Sequence, residues 1–71
     1  MKIVNISSDY IKLDQFLKLV NISNSGSDAK FLIKENDIYV NGEIEKRRGR
    51  KLKNGDIVKY FSSEFHIKNS V

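Results

Sequence analysis

The chain has 71 residues, with 13 Lys and Arg against nine Asp and Glu, a net charge of +4, and neither Cys nor Pro. A length of this order suits one domain, expected here over residues 1–71, with a small core that buries roughly 60% of the unfolded surface. Disulfides and a Cys-based zinc site are excluded; no apolar run nears the ~18 residues of a membrane span, and MKIVNISSDY lacks a signal-peptide apolar stretch, so the expected setting is cytoplasmic, without a membrane partner.

In chain order, Lys2 to Ile6 is β-branched and partly alternating, which predicts a short strand. From Lys12 the period changes. Leu13, Phe16, Leu17 and Val20 stand at i, i+3, i+4 and i+7, one apolar face of a helix, with Asn21 as its left-handed stop. Ser25-Gly26-Ser27-Asp28 reads as a capping box: the Ser25 hydroxyl accepts from the Asp28 amide, and the Asp28 carboxylate reaches back to the Ser25 amide. A second helix follows to about Asn36, with Ala29, Leu32 and Ile33 as its stripe and Phe31 at one edge. The small Ala29 lets the two helices approach closely. Lys30 and Lys34, four apart, share a face.

After Asn36 the period falls to two. Ile38-Tyr39-Val40 and Glu43-Ile44-Glu45 flank Asn41-Gly42, a strong hairpin signal, because a type I′ turn needs positive φ at both central positions. Asn54-Gly55-Asp56 predicts a turn, Ile57 to Phe61 a strand, and Phe65 to Ile67 a last strand. The expected class is α+β, in the order β-α-α-β-β-β-β, with two packed helices on a small, mainly antiparallel sheet. Phe16, Phe31, Phe61 and Phe65 are expected in the core. Tyr39 either stacks on a base or packs against the helices, and its strand position favours the second.

Between Lys46 and Lys53 the chain reads KRRGRKLK. Six of these eight residues are cationic, and the other 63 hold seven Lys and Arg against all nine acids. The positive charge is therefore one local patch on a slightly acidic body. Such a patch repels itself unless a polyanion sits against it, and a phosphate backbone is the natural partner. Arg47, Arg48 and Arg50 add forks that grip phosphate bidentately. A solvated basic loop is the plain alternative. The start of the second helix offers Ser25, Gly26 and Ser27 as a phosphate-binding end, against an ordinary capped helix. Lys12, Lys30 and Lys34 would extend a cationic strip beside the loop, which is expected to lie outside the core.

Catalytic chemistry finds little footing. His66 is the single His, in an alternating strand. Glu43 and Glu45 flank the Arg run, where charge balance or a salt bridge explains them better than paired acid–base work. Asp14 and Asp56 read as a first-turn carboxylate and a turn residue. There is no Ser/His/Asp or Cys/His set, no Walker loop and no metal cluster, so neither a cofactor nor a metal is expected.

Taken together, KLDQFL at 12–17, AKFLI at 29–33, YVNG at 39–42 and GDIV at 55–58 resemble the alpha-L RNA-binding domain, named after small-subunit ribosomal protein S-four. The likeness covers about residues 8 to 60. YIKLDQFLKL and RRGRKL are most similar to its short stand-alone bacterial members, the YaaA- or YbcJ-like proteins. The resemblance implies a structured RNA ligand, ribosomal or transfer RNA, gripped by the two helices and the adjoining loop, and a place on the ribosome or in its assembly. Its RNA-facing helix positions fall on Lys12, Ser25, Lys30 and Lys34, with Asn41, Arg47, Arg48, Arg50 and Lys51 bordering them. This chain has Lys12 where the family usually has Arg, and Gly26 where Arg often follows the capping residue. The expectation is a monomeric, non-enzymatic RNA-binding module that uses Lys12, Ser25, Gly26, Ser27, Lys30, Lys34, Asn41, Lys46, Arg47, Arg48, Arg50, Lys51 and Lys53. A helix-turn-helix DNA binder, or an adaptor for an acidic protein, are the rival readings.

Overall fold

The structure, a computed structural model, describes residues 2–69. Strand β1 (Lys2–Ile6) is followed by β2 (Ile11–Lys12), helices α1 (Leu13–Leu19) and α2 (Gly26–Glu35), then β3 (Ile38–Val40), β4 (Glu43–Ile44), β5 (Lys51–Leu52), β6 (Ile57–Tyr60) and β7 (Ser63–Asn69). Five strands form one sheet in the order β1-β7-β6-β3-β4; β2 and β5 pair separately. All pairings are antiparallel except β1 with β7. The α+β class and the five expected strands are therefore present. The small β2–β5 ribbon was not anticipated.

Both helices bury their stripes on one face of the sheet. Leu13, Phe16 and Leu17 of α1 and Ala29 and Ile33 of α2 meet Ile38, Val40, Val58, Phe65 and Ile67 in one cluster. Phe16 and Phe65 pack edge to face at 5.4 Å between ring centroids, a favoured aromatic geometry. Ala29 is fully buried, as close helix approach requires.

The turns follow their residues. Asn41 (φ 53°) and Gly42 (φ 86°) both take positive φ, as a type I′ hairpin demands. Asn21 ends α1 at φ 62°, and the Asn36 side-chain amide donates to the Leu32 carbonyl at the end of α2. The capping box is shifted by one residue: Ser25 Oγ accepts from the Asp28 amide at 3.1 Å, but the Asp28 carboxylate accepts from Asn24, not Ser25.

Other expectations are corrected. Lys12 is the N-cap of α1 and at the same time ends β2, where its backbone pairs with Lys51. The basic run is not wholly outside the core, since Leu52 is fully buried. Phe31 and Phe61 are exposed, at 61% and 69%. Phe31 falls off the α2 stripe, and Phe61 occupies the β6–β7 turn. Tyr39 is half-buried between buried Ile38 and Val40, so strand alternation turns it away from the helices.

Candidate nucleic-acid interface

Lys12 supplies no side-chain cap for α1. The basic segment caps it instead, through backbone: the Leu13 amide donates to the Arg50 carbonyl at 2.8 Å, and the Asp14 amide to the Arg48 carbonyl at 3.1 Å. A second anchor is Glu45, which is buried. Its Oε2 accepts from the Lys46 and Arg47 amides and from Arg47 Nε at 3.0 Å; its Oε1 accepts from Arg47 Nη2 and from Arg50 Nη1 at 2.8 Å. The Arg47 hydrogen bond, seconded by Arg50, outweighs burial and holds the Glu45 carboxyl at about 2. The loop of residues 46–53 thus has a defined shape, set by one ionised carboxylate and one helix end.

That shape sorts the cations. Arg47 and Arg50 give part of their forks to Glu45, although the Arg47 side chain stays 74% exposed. The Lys46 ammonium turns inward and donates to the carbonyls of Ile33, Lys34 and Asn36 at 3.2, 3.3 and 3.0 Å. It caps the negative end of the α2 dipole. Asn41 is similarly occupied: its Nδ2 donates to Asp56, and its Oδ1 accepts from the Ile57 amide. Asp56 also accepts from the Lys53 amide, so Asn41 and Asp56 lock the hairpin to the 54–56 turn.

The other cations line two grooves. Lys30 and Lys34 of α2 line one with Arg48 and Lys46, over buried Ile33. Lys51 and Lys53 line a second with Arg47, Arg50 and the acidic Asp56. Lys12 stands directly across from Lys51 in the β2–β5 ribbon, with both side chains exposed. Like charges so placed repel. The Lys51 ammonium lies 4.9 Å from the centre of the Tyr10 ring, within cation–π range.

The α2 start is less open than the sequence suggests. Ser25 already accepts from the Asp28 amide, and the Asp28 carboxylate, bound to the Asn24 amide, sits in its first turn. Ser25 and Gly26 line neither groove. Ser27 does share the exposed stripe of Lys30 and Lys34, by helical spacing. So does Phe31, which the sequence reading assigned to the core. Positions 27, 30, 31 and 34 form an arc about 100° wide on α2, and all four are exposed. That i, i+3, i+4, i+7 set was present in the sequence, masked by the expectation that a large aromatic belongs inside.

Two helices on a sheet, with a backbone-anchored basic loop beside them, match a known architecture. The S4 domain family matches the chain over residues 4–68. The chain belongs to that family. The alpha-L resemblance read from the motifs at 12–17, 29–33, 39–42 and 55–58 is this same family. The S4 domain here is also similar to a Bacillus subtilis (strain 168) protein named as a probable ribosome maturation protein, RlbA, with 46% identity over 55 residues and 78% of each chain covered. Among the described residues, no helix of this S4 domain is long and apolar enough to cross a membrane, and no group of His, Asp or Glu is placed to hold a metal ion.

Proposed function

We propose that this S4 domain is a non-enzymatic, monomeric RNA-binding module that acts on structured ribosomal RNA during maturation of the ribosome. The single observation that carries the reading is the convergence of Lys30, Lys34 and Arg48 on one groove; the directly paired, mutually repelling Lys12 and Lys51 add a second cationic pair. A phosphate backbone laid along these cations would relieve that repulsion and release its own counterions. Membership of the S4 family and the name of the Bacillus relative support the ligand class and the setting.

Within this reading, Arg48, Lys51, Lys53, Lys12, Lys30 and Lys34 hold phosphate oxygens, while Arg47 and Arg50 contribute the fork atoms that Glu45 leaves open. Lys46 and Asn41 act indirectly, by shaping the surface. Phe31 gives an unpaired base or a ribose a face to stack on. The Asp28 carboxylate in the first turn of α2 disfavours the DNA-reading alternative, because the start of a recognition helix would face DNA phosphates and base edges there.

The test is a competition at physiological salt between ribosomal RNA fragments and duplex DNA of equal length. The expected result is that RNA displaces DNA and that DNA does not displace RNA. Equal competition would assign the basic surface to general polyanion binding, and association with cell extract that survives ribonuclease would favour the adaptor reading.

A further inference from the structure

The sheet face turned away from the helices is not a neutral back. Directly paired residues place Ile44, Tyr39, Lys59 and Glu64 in one row across four strands, and Ile57, His66 and Ile3 in the next. Ile44 and Ile3 are 49% and 60% exposed. Beside this face lies an open groove of about 680 Å³ lined by the apolar Tyr39, Ile57 and Phe61 and the acidic Glu35, Asp37 and Glu64. Among the described residues Lys59 is the one cation lining it. Asp37 also lies 3.7 Å from Lys46 Nζ and Glu64 3.0 Å from His66 Nε2, which leaves Glu35 as the lining carboxylate without an ion pair among the described residues; the groove is acidic on a protein of net charge +4.

Phe61 marks the groove further. It is the first residue of the two-residue turn between Tyr60 and Ser63, at φ 54°, while Ser62 is not among the positive-φ residues. Hairpin turns of that kind favour Gly at this position, and a bulky aromatic there is strained. The aromatic is nevertheless displayed to solvent, with its ring 4.6 Å from that of Tyr60.

We propose that this groove and the adjoining sheet face dock an extended, Lys- and Arg-rich protein segment that carries an apolar or aromatic side chain. The apolar anchor lies against Tyr39, Ile57 and Phe61, and its flanking cations meet Glu35, Asp37 and Glu64. Charge complementarity selects this occupant. The acidic lining that attracts a cationic segment repels a phosphate backbone, so the basic and acidic faces of the molecule take different partners. The proposal stands apart from the RNA reading, since none of the cations given to phosphate lines this groove; its one link to that reading is Asp37, which lies 3.7 Å from Lys46 Nζ.

The probe is an acetylated, amidated heptapeptide that alternates lysine with leucine around a central phenylalanine, titrated into the isotopically labelled full chain at moderate salt. A counterpart with every lysine replaced by glutamate is the control. Amide shifts are expected around Tyr39, Ile57, Phe61 and Glu64, with none for the acidic peptide. The pair Glu35→Lys and Asp37→Lys should weaken the complex about tenfold or more. Phe61→Gly should also weaken it while leaving the melting temperature unchanged or raised, because Gly suits that turn; loss of an anchor and loss of fold are thus separable. Shifts spread over the basic face, or variants that bind the peptide as the parent does, would overturn the proposal. Concentration-dependent dimerisation abolished by Phe61→Gly would overturn it too, by giving the face to a second copy of the chain.

Discussion

Glu45 is the residue on which the basic segment turns. Removing it raises the net charge, so charge alone would tighten binding to a polyanion. If its role is to hold Arg47 and Arg50 in place, Glu45→Ala instead weakens RNA binding. Its depressed carboxyl also links stability to pH. A group lowered from 4.5 to about 2 stabilises the fold fully above pH 4.5, and that contribution is lost as pH falls towards 2. The full shift corresponds to roughly 3 kcal/mol. Screening at the exposed Arg47 fork reduces this to about 1–2 kcal/mol. Glu45→Gln should therefore melt below the parent protein at pH 6 and converge with it near pH 2; melting curves that stay parallel across that range would remove Glu45 from this role. Phe31 is the residue-scale test of base stacking. Phe31→Ala should leave the melting temperature within a degree or two, since the ring is exposed, and should weaken binding to RNA with unpaired loops by about 1–2 kcal/mol, with a smaller effect on duplex RNA. Equal loss on both RNAs would contradict stacking.

Among the elements, α2 carries two kinds of cation that composition cannot tell apart. Lys46 caps its end, and Arg48 lies beside its exposed stripe. Lys46→Met should cost about 1 kcal/mol in chemical denaturation and shift RNA affinity little; Arg48→Ala should do the reverse. Exchange of those two outcomes would mean that the geometry has been assigned wrongly. The contrast shows what a sequence discloses. The α1 stripe, the Asn41-Gly42 hairpin and the Ser25 cap were legible because each is decided by residues within a turn or two of one another. Glu45 was legible as a charge partner for the same reason. Lys46 was not, since its acceptors lie 10 to 13 positions upstream. The β2–β5 ribbon was not either: two residues at 11–12 pair with two at 51–52, and neither stretch is long enough to show a period. Phe31 and Phe61 were misplaced because hydrophobicity was allowed to outrank spacing in one and turn position in the other.

At the scale of the molecule, the S4 domain is two-faced. Lys30, Lys34 and Arg48 share a groove and Lys12 pairs with Lys51 in the ribbon beside α1, whereas the sheet face turned from the helices carries exposed apolar side chains next to acidic ones. Among the described residues a core of twelve buried apolar side chains lies between the helices and the sheet, and the loop that concentrates the charge enters that core through Leu52. Wholesale replacement of the 46–53 segment would therefore confuse folding with binding, whereas Lys30, Lys34 and Arg48 can each be truncated from the outside. The most direct measurement is the salt dependence of ribosomal RNA binding for the parent and for the variant Lys30→Ala, Lys34→Ala, Arg48→Ala. With about five or six phosphate contacts, log K for the parent should fall by roughly five per decade of salt, and for the variant by roughly two to three. A slope that is the same in both proteins would place the RNA on another surface and contradict the account.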